Sequence, residues 1–211
     1  MTKSEKVAPE TVRHSSCVIN VSSFLRHSSF RIEGAFTIVE LIVVISIIII
    51  LAGLILATTG YVEKKGARSR AESEIAALSA AMESYKADNG IYPRDATKTD
   101  PVDPTASPIP TAATQYLYEQ LSGNSAATLQ PTSGAKSYFA FKPQMLAGNK
   151  DANGNLTSVT NIRDPFGNPY GYSTAKNANS AGSIGYNPTF DLWSTANANP
   201  VSDQNQWVKN W

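Results

Sequence analysis

Histidine and cysteine are scarce in this chain of 211 residues, and their positions matter more than their number. The one cysteine, Cys17, and the two histidines, His14 and His27, all lie before residue 36. If residues 1–35 are removed, the remaining chain cannot hold a cysteine nucleophile, a Ser-His-Asp triad, a Cys/His zinc site or a disulfide. Chemistry based on carboxylates and on oxygen-ligated metals stays open.

An excess of charge of one sign is also lacking. Lys and Arg number 18 and Asp and Glu number 17, which gives a net charge of +1. A chain so balanced does not favour nucleic acid as a partner. From Phe36 to Ala57 charge is nearly absent, since the only ionisable side chain there is Glu40. This segment is long enough to cross a bilayer, and lipid favours a helix because the backbone must bond to itself.

Residues 1–35 are polar and contain no apolar segment of their own. A secretory signal peptide would carry its apolar segment inside the removed piece and end it at a small-residue site. Here the apolar segment comes afterwards. We therefore predict a leader over 1–35, with any processing before the membrane segment, and a transmembrane helix, kept in the mature chain, over 36–58.

The helix is predicted to continue past the membrane as an amphipathic stem over 59–89. Its apolar residues recur at helical spacing: Ala71, Ile75, Leu78, Met82 and Tyr85. Asn89-Gly90 supplies a helix stop, and Pro93 follows it.

Residues 90–211 are predicted to form a globular domain. The proline-rich stretch 94–111 is typical of an irregular loop, and 111–123 is predicted to be a short helix with Tyr116, Leu117 and Leu121 on one side. Three aromatic segments are predicted to be strands: SYFAFK (137–142), PYGYS (169–173) and TFDLWS (189–194). Turns are predicted at Asn153-Gly154, Asp164-Pro165 and Gly167-Asn168. The expected fold class is α+β, with one long helix packed on a small antiparallel sheet.

Glu40 has two interpretations. A carboxylate at the centre of an apolar helix costs about 2.5–3.5 kcal/mol, so its presence indicates a function. Near one end of the span the side chain can instead reach the interface, and it then needs no function.

The segment RIEGAFTIVELIVVI (31–45) resembles the processing signal of type IV prepilins. This resemblance implies that prepilin peptidase cuts between Ala35 and Phe36, that Phe36 is N-methylated, and that Glu40 is the fifth mature residue. The family usually has glycine before the cut, and Gly34 lies one position earlier, so cleavage after Gly34 is the alternative. The register of Phe36 and Glu40 favours the Ala35–Phe36 bond.

Cleavage at Phe36 would create an ammonium group in or near lipid, and Glu40 of a neighbouring copy could neutralise it. Each charge would then relieve the desolvation cost of the other. The resemblance thus implies a homopolymer whose register depends on Phe36 and Glu40. Its implied partners are prepilin peptidase, minor pseudopilins, an inner-membrane assembly platform and the membrane itself, with no nucleic acid.

The same resemblance implies a single-pass protein of the bacterial inner membrane with its C-terminal domain in the periplasm. The positive-inside rule does not favour this orientation. Two basic residues shortly precede the span and four follow it: Arg26 and Arg31, then Lys64, Lys65, Arg68 and Arg70. We interpret the second cluster as a solvated stem face with helical ion pairs; contact with acidic lipid or with neighbouring stems is the alternative.

Three further segments resemble the major pseudopilins of type II secretion systems: SRAESEIAALSAAMESYKADNGIYP, IRDPFGNPYGYS, and GYNPTFDLWST with the closing Asn210-Trp211. They imply a structural subunit of a secretion pseudopilus that helps to export folded proteins and is not an enzyme. One alternative is a type IV pilin for adhesion, motility or DNA uptake. Another, from a different class, is a membrane-anchored periplasmic hydrolase acting through 90–211.

Such pseudopilins typically hold a calcium ion in the loop after the strand that corresponds to DLWS (191–194), and this makes Asp191 and Asp203 candidate ligands. Calcium prefers about six to eight oxygens, some of them anionic, and this loop offers little negative charge. Asparagine side chains, or the packed rings of Trp193, Trp207 and Trp211, could hold the loop without metal. We favour the loop without metal.

Overall fold

The computed structural model describes residues 36–199 and 202–211. The predicted leader, 1–35, lies outside the described residues, and so does the Ala35 side of the predicted cleavage bond. The chain divides into two compact units, with the boundary between Leu51 and Ala52.

The helices among the described residues are α1 (Ile38–Asn89), α2 (Thr111–Ser122) and α3 (Ala175–Ala178), with a short 3-10 helix at Pro143–Met145. The strands are β1 (Leu146–Ala147), β2 (Asn161–Ile162), β3 (Gly171–Ser173), β4 (Asp191–Ser194) and β5 (Val208–Lys209). The predicted α+β class is confirmed.

Helix α1 is continuous over 52 residues and ends where the sequence predicts. Gly90 adopts the left-handed conformation, with φ 79°, and its N–H donates to Lys86 O at 2.7 Å. The Asn89 side chain donates to Tyr85 O at 2.8 Å. Because a left-handed glycine costs little and satisfies a terminal carbonyl, Asn-Gly stops the helix here.

The apolar stripe of the stem lies in the protein core, as predicted. Ala71, Leu78 and Met82 are fully buried, and Ile75 is nearly so. Tyr85 is half-buried, and its hydroxyl donates to Gln120 Oε1 of α2 at 3.0 Å. One core cluster therefore joins the stem of α1 to α2 and the sheet.

Helix α2 is confirmed, but its predicted face is wrong at one residue. Leu117 and Leu121 are fully buried, whereas Tyr116 is half-buried and donates its hydroxyl to Arg94 O at 2.9 Å. The aromatic residue that this helix places in the core is Tyr118, which is 3% exposed. Positions 114, 117, 118 and 121 share a helix face at spacings of three and four, and position 116 falls beside that face.

The central sheet is antiparallel, in the order β3-β4-β5. Gly171 of β3 lies opposite Trp193 of β4, which lies opposite Lys209 of β5. A second antiparallel pair joins β1 and β2. The strands predicted within 169–173 and 189–194 are thus confirmed in their cores.

The strand predicted over 137–142 is wrong. The N–H groups of Tyr138 and Phe139 both donate to Leu121 O, at 2.8 and 2.9 Å, at the end of α2. Phe139 and Phe141 pack edge to face, 4.7 Å apart. The aromatic alternation that suggested a strand therefore serves packing against the end of a helix, whose free carbonyl takes the place of a neighbouring strand.

Two of the predicted turns are built around acidic side chains. Asp151 Oδ1 accepts the N–H groups of Asn153 and Asn155 at 2.9 and 2.8 Å, and Gly154 has φ 84°. Asp164 organises the turn before β3 in the same way. Both arrangements are the Asx-type turns expected when aspartate accepts from the backbone that follows it.

Gly171 is required by the ring that lies on it. A Cβ at this position would lie 1.9 Å from Cε2 of Trp193. We expect Gly171→Ala to lower the free energy of unfolding by about 1–3 kcal/mol, because the buried indole must shift. Chemical unfolding of the detergent-solubilised chain, followed by tryptophan fluorescence, measures this change.

Gly66→Ala is the matched control, since a Cβ there meets nothing within 4 Å and Gly66 lies inside α1. It should be neutral or stabilising by up to about 1 kcal/mol. Equal stability of the Gly171 variant and the wild type would contradict the close approach of Trp193.

Candidate functional site

The first half of α1 presents apolar side chains all round. Between residues 36 and 56 the exposed fraction of each large apolar side chain lies between 47% for Ile45 and 80% for Phe36. A surface helix of a water-soluble domain would bury one stripe and expose a polar face. This half of α1 therefore needs a cover that is not water.

Among the described residues, one helix, α1, is both long enough and apolar enough to span a membrane. From Ile38 to Ala57 it extends about 30 Å at 1.5 Å per residue, which is about the thickness of the hydrocarbon layer. The hydroxyls in and just after this part bond within the helix. Ser46 donates to Ile42 O at 2.7 Å, and Thr59 donates to Ile55 O at 2.9 Å. Such internal bonding is what a segment without water requires.

The helix begins with a capping box formed by Thr37 and Glu40. The backbone N–H of Thr37 donates to Glu40 Oε2 at 2.8 Å, and the Glu40 N–H donates to Thr37 Oγ1 at 3.2 Å. The Thr37 hydroxyl also donates to Oε2, at 2.9 Å. These reciprocal bonds satisfy two of the N–H groups that a helix leaves free at its start.

This cap was not predicted, although its sequence signal, Thr-x-x-Glu before an apolar run, lies at residues 37–40. Both bonds to the carboxylate use Oε2, and no bond to Oε1 is formed among the described residues. Glu40 and Phe36 are both exposed. Their predicted pairing joins two copies of the chain, so it stays a prediction.

The two candidate calcium ligands close different loops. Asp191 is 1% exposed and accepts the N–H groups of Tyr186 and Asn187 at 2.9 and 2.7 Å. Asp203 accepts from the Gln206 side chain at 2.7 Å and from the Asn205 N–H. Burial raises the pKa of Asp191, whereas the Gln206 hydrogen bond lowers the pKa of Asp203.

Within the described residues, no three Asp, Glu, His or Cys side chains come together as a metal-binding group. The carboxylates of Asp191 and Asp203 each bond to their own loop. These contacts do not assemble the anionic oxygen shell that calcium prefers. The calcium site stays a prediction, without support from the contacts of these two residues.

The C-terminal loop, which we define as the described residues 202–211, is held by aromatic rings, an asparagine and an arginine. Trp193 stacks on Trp207 at 6.1 Å and meets Trp211 edge to face at 6.0 Å. Asn210 accepts from Leu192 N–H at 2.8 Å.

The arginine of this arrangement belongs to the stem. The Arg68 guanidinium donates to Gln206 O at 2.6 Å and to Trp207 O at 3.2 Å. Arg68 also pairs with Glu72 on its own helix, as expected of a stem ion pair. Its contact with the loop was not predicted, because no sequence pattern connects residues so far apart.

A buried carboxylate outside the predicted site lies where the sheet meets the stem. Asp164 is 3% exposed, and its Oδ1 accepts the N–H groups of Phe166 and Asn168. Its Oδ2 accepts from the Ser194 hydroxyl. Burial raises the pKa of Asp164, and these donors only partly offset that effect.

A second acidic group of the stem has a similar environment. Glu74 accepts from the Tyr170 hydroxyl at 2.8 Å, which lowers its pKa, but burial has the larger effect and raises it. Neither the role of Glu74 nor the burial of Asp164 was predicted. Both follow from tertiary packing and carry no local signal.

Comparisons with protein-family models, with curated proteins and with solved structures found no match. What the structure defines is a class: an α+β protein in which one long N-terminal helix, apolar in its first half, continues into a unit with small antiparallel sheets.

We expect Arg68→Met to loosen the C-terminal loop from the stem, because the backbone carbonyls of Gln206 and Trp207 lose a charged donor. Hydrogen exchange at β5 should report a loss of protection of about 1–2 kcal/mol. Arg70→Met is the matched control, since Arg70 is exposed and forms no bond to this segment among the described residues. Equal protection in both variants would contradict the anchoring role of Arg68.

Asp164 should make stability depend on pH in a defined direction. Its pKa is raised in the folded state, so the folded protein binds a proton more readily than the unfolded chain does. The stability of the wild type relative to Asp164→Asn should therefore rise as pH falls from about 7 to about 4. Chemical unfolding of both proteins across this range measures the difference.

Asp95→Asn is the control with the opposite sign, because the Thr97 hydroxyl lowers the pKa of the Asp95 carboxylate. There the advantage of the wild type should shrink as pH falls. A difference that is independent of pH for Asp164→Asn would rule out the effect of its burial.

Proposed function

We propose that this chain is a prepilin-type structural subunit, anchored in the bacterial inner membrane by the first half of α1 and polymerised through the same helix. In this proposal prepilin peptidase cuts between Ala35 and Phe36, and Phe36 is then methylated. The observation that carries the proposal is the first half of α1, whose apolar side chains are exposed on every side and whose only ionisable side chain from Phe36 to Ala57 is Glu40.

The exposed apolar surface of the first half of α1 supports a transfer of this helix from contact with lipid to contact with other copies of the chain. In the precursor the side chains around Ile45 would contact lipid tails. In a filament they would contact the same helices of neighbouring copies. Lipid tails and neighbouring helices are both apolar, so neither state exposes this surface to water. The free energy of moving the helix from lipid into the filament therefore depends on packing and on polar contacts, and not on the hydrophobic effect.

The first turn supports a polar contact that acts only between copies. The cap holds the Glu40 carboxylate through Oε2, and no bond among the described residues uses Oε1. A newly formed ammonium at Phe36 of a neighbouring copy could bind Oε1 without breaking the cap. In a low dielectric such a pair attracts several times more strongly than in water, and it would fix the axial register.

Within the prepilin class we propose a major pseudopilin of a type II secretion system, with its domain in the periplasm and no catalytic role. The segments that carry this resemblance are neighbours in the fold. Strand β3, from PYGYS, pairs with β4, from TFDLWS. Asn210 accepts from Leu192 N–H at 2.8 Å and donates to Phe190 O at 3.0 Å.

These contacts explain why the Asn210-Trp211 pair and the TFDLWS strand occur together in one sequence, since Asn210 bonds to the backbone of that strand. Minor pseudopilins and an inner-membrane assembly platform would be the partners of such a subunit. A gene neighbourhood with a secretion ATPase and an outer-membrane secretin, without adhesion or retraction genes, would distinguish it from an adhesive pilin.

The test is Glu40→Ala, expressed with an active prepilin peptidase and the assembly platform. Intact mass of the membrane-extracted chain should give N-methyl-Phe36 as the first residue in both wild type and variant. Filament yield, measured by shearing and electron microscopy, should fall at least about tenfold in the variant, because the neighbouring ammonium loses its partner.

Ser46→Ala is the matched control, since Ser46 is a polar residue of the same apolar segment and its hydroxyl donates to its own helix. It should assemble normally. A wild-type chain that still begins near Met1 would overturn the prepilin class, and normal filaments from Glu40→Ala would overturn the pairing.

A further inference from the structure

A cleft of about 570 Å³ lies between the stem of α1 and the loops that follow β2 and β4. The stem supplies one aromatic and three basic side chains, and the loops supply one aromatic and several amides. We call this the basic cleft, and its main lining residues are Tyr61, Lys64, Lys65, Arg68, Phe166 and Asn197.

The charge of the basic cleft is not compensated by the residues that line it. Its described lining residues include no carboxylate. Arg68 is already bonded to the C-terminal loop and to Glu72. Lys64 and Lys65 are exposed, and neither forms an ion pair with another described residue. Within this part of the chain, two ammonium groups are thus available to bind an anion.

The cleft begins where the apolar part of α1 ends. Tyr61 comes four residues after Ala57, or about 6 Å along the helix. Lipid headgroups lie at this depth when the apolar part fills the hydrocarbon layer, and tyrosine side chains favour the same zone. Tyr61 is 71% exposed, and Phe166 is half-buried beside the cleft.

The loop wall of the cleft is fixed by its own contacts. Ala196 and Asn197 both have left-handed backbones, with φ 52° and 55°. The Asn168 side chain donates to Asn197 Oδ1 at 2.6 Å. A left-handed alanine is unfavourable on its own, so the surrounding contacts must hold it.

We infer that the basic cleft binds the phosphodiester headgroup of an anionic phospholipid, with Lys64 and Lys65 as its cationic partners. This inference rests on the membrane placement in the proposed function, but it does not require the polymer. It also gives the basic residues after the span a role that the positive-inside rule does not supply.

The test uses the full chain in a neutral detergent, with phosphatidylglycerol and phosphatidylcholine added in equal amounts. Native mass spectrometry counts the lipids retained. The wild type should retain phosphatidylglycerol preferentially, and Lys64→Gln/Lys65→Gln should reduce that preference about tenfold or more, since each basic residue near a surface contributes about a fivefold factor.

Lys98→Gln/Lys150→Gln is the control, because it removes the same charge at exposed sites outside the cleft. It should keep the preference. An equal loss in both double variants, or no preference in the wild type, overturns the inference. So does displacement of the lipid by millimolar inorganic phosphate, which would indicate a site for the free anion.

Carbodiimide crosslinking of Lys64 or Lys65 to a second copy, without any lipid preference, would assign the cleft to a protein partner and also overturn the inference. Failure of cleavage or of filament formation leaves the lipid count unaffected. The two proposals therefore fail by different measurements.

Discussion

The main physical constraint on this protein is that the apolar side chains of the first half of α1 must be kept out of water. Its apolar side chains point outward on every side and leave no face for a polar solvent. Isoleucine and valine would favour strands in water, but a helix satisfies its own backbone, and the hydroxyls of Ser46 and Thr59 bond within it. The Thr37–Glu40 cap completes this internal bonding at the start of the helix.

The same helix changes its role in the second unit. There a single stripe, which includes Leu78 and Met82, is buried in the core, and the opposite face is polar. Arg68 links this stem to the C-terminal loop, where Trp207 stacks on Trp193 of β4. The stem is therefore part of the folded unit that follows it.

Sequence patterns correctly predicted those elements that depend on interactions between residues close together in the chain. The end of α1, the helix α2, the strands β3 and β4 and the Asn-Gly turn follow from periodicity and from glycine conformation. The strand predicted over 137–142 is wrong because that backbone bonds to Leu121 O, a tertiary partner that alternation cannot reveal. Arg68 reaches a carbonyl 138 residues away, and no spacing rule predicts such a contact. The pairing of Phe36 with Glu40 joins two copies of the chain, so it stays a prediction.

The isoleucine- and valine-rich composition of α1 has a consequence for how this chain must be kept from water. A β-branched run released into water without cover would be a ready seed for cross-β aggregation. In the proposed assembly there can be no dissolved reservoir of mature subunits. Each copy must pass directly from bilayer to polymer, so extraction and elongation become a single coupled event.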